Sequence, residues 1–360
     1  MSTCKKKVMT MLPFSYTLIV VLLGTVILGG IAGMIGTLVV FRSQALIGDA
    51  LSHATLPGVV IAFMLMQARQ LEVLLVGAFI SAVIAMFLLD VIKHHTTIKF
   101  DASMALILSA FFGFGQVLLS HIHKDGSAAQ AGLSRFIFGQ AATLLRSDVY
   151  LLAGVALLLF VLLMLFFKEL KLFIFDEPFF VSLGFSRRIM NALITFMVVM
   201  IITIGIRMVG VILMSALLIA PAVAARQFSN RFGINVFLAW LIGGIGGAVG
   251  TYMSAARANM PTGPVIVLVL GVIVLFSVLF SFNDGLIKHA FLNWRYRIQI
   301  QKYRALIHFY ENPDKAPMAE DDYAYFINHD YLRHTNGDLN LTKKGLKKVR
   351  LIKGVVDNEY

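Results

Sequence analysis

Nine predominantly apolar stretches follow one another along the chain, at residues 15–40, 45–66, 71–92, 102–120, 148–167, 189–205, 207–226, 233–253 and 264–283. Each approaches the roughly 20 residues that an α-helix needs to cross about 30 Å of hydrocarbon. Continuous runs such as Leu151–Phe167 and Val265–Phe280 show none of the residue-by-residue alternation of a membrane β-barrel strand. The pattern predicts an all-α fold, a polytopic transmembrane helical bundle of about eight or nine spans, with the sixth and seventh tightly joined.

Near residue 285 the pattern changes, which divides the chain into a transmembrane domain at 1–285 and a C-terminal extension at 286–360. Residues 291–360 hold twelve Lys and Arg against nine Asp and Glu, a net of +3, and no spanning run. The extension reads as a helix over Asn293–Tyr310, a breaker at Asn312 and Pro313, a helix from Ala319 to about His329, a hairpin at Asn336-Gly337, and a last helix from Thr342. Asn-Gly supplies the positive φ angles of a two-residue hairpin turn, and threonine is a fair helix N-cap. The order predicts a small cytoplasmic appendage of winged-helix type, and residues Gly337–Gly345 resemble the wing and following helix of winged-helix regulators.

Composition sharpens the membrane reading. Apolar side chains make up 59% of the 360 residues and charged ones 14%, with a mean hydropathy of +0.83, outside the usage of soluble domains. The net charge of +12 lies largely in short loops beside apolar spans, where lysine and arginine mark the cytoplasmic side. The basic residues therefore read as setting topology in a protein whose partner is membrane lipid, and nucleic acid is not expected. The loop at Arg42, the segments 93–99, 168–188 and 226–231, and the tail are all cytoplasmic if the N-terminus is outside and the spans number nine; Lys5, Lys6 and Lys7 argue for the reverse, with eight spans or a re-entrant segment. The lone cysteine, Cys4, leaves no disulfide framework and no cysteine-rich metal cage. Gly29, Gly33 and Gly36, and again Gly243, Gly246, Gly247 and Gly250, carry the small-residue spacing that lets helices approach closely in lipid.

Asp49 and His53 stand four residues apart in the second span, on one helical face. An ionisable side chain within the bilayer costs about 2.5–3.5 kcal/mol even on the lenient insertion scale, so such a pair needs a reason. Carboxylate and imidazole together suit manganese, iron or zinc, whereas copper(I) favours sulfur ligands. Two ligands fall short of a closed structural zinc site and fit an ion that must also be released. The alternative is that Asp49 only bonds His53 or caps the span. Metal is held by deprotonated ligands, which predicts weaker uptake at mildly acid pH.

The stretch Gly48-Asp-Ala-Leu-Ser-His-Ala54 resembles the Gly-Asp-x-x-x-His-Ala signature of the permeases of metal-uptake ABC transporters (ABC-3 type). The likeness continues through residues 101–106, Phe138-Gly139, residues 208–226 and residues 261–268, in order over about 15–283. The resemblance implies a bacterial inner-membrane, multi-pass permease subunit that imports a divalent metal ion. It places the family's metal-path carboxylate and histidine on Asp49 and His53. It also implies cytoplasmic ATPase subunits, an extracytoplasmic metal-binding protein, and a second permease copy or paralogue forming a pore dimer. No permanently bound cofactor is implied, the metal being cargo. Ser52-His-Ala-Thr-Leu-Pro-Gly58 is more like the manganese and iron branch than the zinc branch. The segment Pro221–Phe232 matches where the family couples to its ATPase, with Pro221, Arg226, Arg231 and Phe232 as candidate contacts; Arg226 and Arg231 also read as ordinary positive-inside residues. Asp176–Gly184 is a second cytoplasmic candidate. His121 and His123, at the outer end of the fourth span, are candidates for admitting metal, and His94 and His95 for its exit.

No phosphate-binding Gly-x-x-x-x-Gly-Lys-Ser/Thr loop and no His-Glu-x-x-His motif occur, so the chain reads as a transport subunit and not an enzyme. Two rivals remain at this level. One is a gradient-driven secondary transporter, which inverted repeats would favour. The other is a membrane-anchored, metal-responsive regulator whose tail binds DNA, which a strongly basic patch would favour.

Overall fold

A computed structural model describes residues 16–66, 71–123, 144–256, 260–281, 285–311, 321–335 and 338–356. The transmembrane unit holds α1 (Tyr16–Phe41), α2 (Ile47–Met66), α3 (Leu71–His95), α4 (Phe100–His123), α5 (Arg146–Leu165), α6 (Phe167–Phe175), α7 (Glu177–Ser182), α8 (Arg187–Val209), α9 (Val211–Phe228), α10 (Phe232–Ala255) and α11 (Thr262–Phe280). Eight of these are long and apolar enough to cross a membrane, namely α1 to α5, α8, α10 and α11. The predicted seventh span is α9, whose 18 residues reach about 27 Å at 1.5 Å per residue.

Only Gly210 separates α8 from α9, at φ +92°, a left-handed conformation that suits a residue without Cβ. The chain doubles back there, because a Cβ on Gly205 would run into the Met214 thioether. The tight join seen in the sequence is thus a helical hairpin inside the bundle.

The glycine-rich α1 and α10 pack backbone to backbone. A Cβ on Gly29 would strike the Gly243 carbonyl, and one on Gly243 the Gly29 carbonyl. Thr25 Oγ1 and Thr251 Oγ1 lie 2.8 Å apart across the same seam. Without a hydrophobic drive between helices in lipid, close approach and interhelical hydrogen bonds hold such a contact.

One end of the bundle gathers the cations. Phe232 at the start of α10 packs against Phe41 at the end of α1, at 5.5 Å between ring centroids, and against Phe167 at 5.4 Å. Phe175 stands 5.5 Å from Phe41, and Arg226 5.3 Å over it. Arg42, Lys93, His94, His95, Arg187 and Arg188 border one cavity at this end. At the opposite end Arg146, opening α5, lies 4.2 Å over the Tyr16 ring, where α1 begins. The arginine-rich end is cytoplasmic by the positive-inside rule. On that footing α1 runs inward, α8 outward and α9 inward again. The Lys5–Lys7 cluster lies outside the described residues.

The chain separates into two compact units, Met1–Asn283 and Asp284–Tyr360. The second contains α12 (Leu286–Lys302), α13 (Arg304–Glu311), α14 (Asp321–Asn328), β1 (Leu332–Thr335), β2 (Asp338–Leu341) and α15 (Lys343–Val356). The helix expected over Asn293–Tyr310 starts earlier and breaks at Tyr303. β1 and β2 pair antiparallel, with Leu332 opposite Leu341 and Thr335 opposite Asp338; the Asn336-Gly337 turn lies outside the described residues. Thr342 caps α15 by accepting the Gly345 N–H at 3.1 Å. Tyr303, Leu306, Phe326, Leu332, Val349 and Ile352 form a small core.

Candidate metal site

α2 opens at the cytoplasmic end, and Asp49 and His53 are its third and seventh residues. A carboxylate in the first turn is favoured by the free N–H groups and dipole of the helix N-terminus. The two side chains face each other, His53 Nε2 standing 3.5 Å from Asp49 Oδ1. Asp49 keeps 43% of its side-chain exposure and His53 only 17%, so the pair opens at the edge of the protomer.

Neighbouring helices fix this face of α2. Phe112 of α4 sets its ring edge-to-face against the His53 imidazole at 4.9 Å. Ser81 of α3 donates to the Ala54 carbonyl at 2.6 Å, and Gly58 and Gly77 bring α2 and α3 into backbone contact. Pro57 lies inside α2; its missing N–H leaves the His53 carbonyl without the usual helical donor. His53 Nδ1 is buried with no hydrogen-bond partner among the described residues.

The 3.5 Å separation is long for a hydrogen bond. Two tetrahedral ligands at about 2.1 Å from one ion stand about 3.4 Å apart, close to the separation of this pair. No group of three or more His, Cys, Asp or Glu able to hold a metal occurs among the described residues.

The other expected residues are dispersed. His121 is exposed near the end of α4, and the helix continues to His123. Two helical positions are about 200° apart around the axis, so they do not converge through a loop; the His123 side chain lies outside the described residues. His94 Nδ1 is 2.9 Å from the Asp90 carbonyl oxygen and 3.5 Å from its carboxylate. Of the residues expected to meet an ATPase, Pro221 and Phe232 are buried, while Arg226 and Arg231 are exposed. Phe232 faces inward because three aromatic rings surround it.

Two features at the cytoplasmic end take their geometry from the structure, the sequence having marked them only as cytoplasmic segments. The first is α7, capped by Asp176, which accepts the Phe179 N–H at 3.0 Å. Phe180 is buried between Phe173 and Phe185 at 5.1 and 5.0 Å, and Glu177 pairs with Arg187. Phe179, Val181, Leu183 and Phe185 are left exposed around this anchor. The second is Arg42, which donates to Asn191 and stacks over Phe173. Burial lowers its guanidinium below the ordinary value while Glu177 acts in the opposite sense.

Residues 15–281 match the ABC 3 transport family. The chain is 45% identical over 282 residues to the zinc transport system membrane protein TroC of Treponema pallidum (strain Nichols), covering 78% of this chain and 94% of that one. It is 38% identical over 295 residues to the manganese transport system membrane protein MntC of Bacillus subtilis (strain 168), covering 82% and 68%. A structure of PsaBC from Streptococcus pneumoniae in complex with Fab superposes with a TM-score of 0.66 at 25% identity, over 76% of this chain and 95% of that one.

Proposed function

Because the chain belongs to the ABC 3 transport family, we propose that it is the permease subunit of an ATP-driven importer for a divalent transition metal, with manganese as preferred cargo and zinc or iron as alternatives. Relatives named for zinc and for manganese support both metals. The sequence Ser52–Gly58, with its proline, is more like the manganese and iron branch and supports manganese ahead of zinc. Iron uses the same ligand types.

The observation that carries this reading is the Asp49–His53 pair, partly exposed at the protomer edge and at a separation that suits one ion. A second permease copy facing the first completes a set of two carboxylates and two imidazoles. Neither copy holds the ion alone, so separating the two halves releases it, which is what transit requires. An extracytoplasmic binding protein supplies the metal, and cytoplasmic ATPase subunits move the halves.

The exposed apolar rim of α7, with Arg226 and Arg231, is the surface offered to the ATPase. Arg42 ties that region to the turn from which α2 starts. Force applied at α7 thus has a short route to the pair.

The test is uptake of manganese, zinc and iron in cells stripped of their own importers, expressing the permease with its ATPase and binding protein. Asp49→Ala and His53→Ala each abolish uptake of the cargo metal at unchanged membrane abundance. Full uptake in both variants removes the pair from the ion path.

A further inference from the structure

We propose that α12 lies along the cytoplasmic surface of the bilayer and binds anionic phospholipid. Ile287, Phe291, Trp294 and Ile298 are 46%, 53%, 59% and 44% exposed. At 100° per residue these four fall within about 60° of arc, a single stripe along the helix. Leu292 and Tyr296, on the other face, are half-buried.

Charge selects the occupant. α12 carries Lys288, Arg295, Arg297 and Lys302 and no acidic residue. By the same helical geometry, Arg295, Lys288 and Lys302 flank one edge of the stripe and Arg297 the other. The Arg295 guanidinium stands 5.9 Å over the Phe291 ring. An apolar stripe containing tryptophan between two cationic edges is the pattern of a helix lying in the headgroup region, its aromatic and aliphatic groups in the acyl boundary and its cations on lipid phosphates. A protein partner would have to present acid on both sides of an apolar strip. The cytoplasmic leaflet presents both at once.

Chain connectivity supplies the proximity. α11 ends at Phe280 and α12 begins at Leu286, which limits their separation to about 22 Å even at full extension. The helix is therefore tethered beside the surface it would bind, at high effective concentration.

The chain has two tryptophans, Trp240 and Trp294, so Trp240→Phe makes Trp294 the sole reporter. The full-length variant is reconstituted in phosphatidylcholine vesicles with and without phosphatidylglycerol, using lipids brominated near the top of the acyl chain. Trp294 emission is expected to be blue-shifted and quenched by bromine, more strongly with phosphatidylglycerol. Ile287→Ser, Phe291→Ser and Ile298→Ser together remove the quenching. Arg295→Gln, Arg297→Gln and Lys302→Gln remove its dependence on phosphatidylglycerol, each cation lost weakening the contact about fivefold. All six positions are exposed, and circular dichroism checks that the helix remains. Water-like, unquenched emission overturns the proposal. So does blue-shifted emission that bromine does not quench, since protein then covers the stripe, and so does quenching indifferent to phosphatidylglycerol.

Discussion

Arg42 Nη2 donates to the Asn191 side-chain oxygen at 2.8 Å, while the same guanidinium stands 5.3 Å over the Phe173 ring. One cation thus binds the end of α1, α6 and the start of α8. α2 begins five residues later, at Ile47.

If this contact transmits movement from the ATPase side, Arg42→Ala separates hydrolysis from transport. Proteoliposomes holding the full complex are expected to retain ATP turnover and lose most metal uptake. The lost charge-assisted hydrogen bond lowers stability by about 1.5–3 kcal/mol, read from thermal unfolding in detergent. Arg42→Lys keeps the charge without the planar fork and falls between.

Phe112 holds the His53 ring by its edge. Phe112→Ala removes a contact worth about 0.5–1.5 kcal/mol, so manganese affinity falls by about two- to tenfold. Titration of the purified complex checks this. A larger loss, equal to that of His53→Ala, would assign Phe112 a role beyond orienting the ring.

Pro57→Ala returns an N–H to the His53 carbonyl and completes the hydrogen-bond ladder of α2. The expected variant is more stable to heat and slower in uptake, because the pair is now held by a stiffer helix. Thermal unfolding and initial uptake rates measured on the same preparation decide it.

Gly29→Ala and Gly243→Ala each put a methyl group into the opposing backbone. Overpacking of this kind costs about 1–3 kcal/mol and more where backbone must move. Both are expected to reduce folded yield and the unfolding midpoint. Gly113→Ala or Gly154→Ala, where the added atom meets nothing within 4 Å, leaves both unchanged.

The sequence announces the spans because each must be apolar for about 20 residues to satisfy the bilayer. Even the hairpin at Gly210 shows as two spans with almost nothing between. The α6–α7 region was harder to read: helices of nine and six residues are too short to set up a persistent period, and their charges look like ordinary loop charges. Phe232 misleads for a related reason. It follows Arg231 in a polar stretch, yet its ring belongs to a cluster whose other members come from distant segments. Asp49 and His53 stand out because an ionisable pair in an apolar span is rare. Phe112, their neighbour, is one aromatic among 29 phenylalanines, and only the crossing of α4 over α2 distinguishes it.

Gly58 and Gly77 meet backbone to backbone, and Ser81 is bonded to the carbonyl of Ala54, the residue after His53. Such a seam has no slack in which α2 can slide or roll against α3. The two helices behave as one plank, and whatever tilts Asp49 and His53 must carry α3 with them. On the proposed function the plank moves as one unit with its protomer, and a crosslink between α2 and α3 is expected to leave metal uptake running.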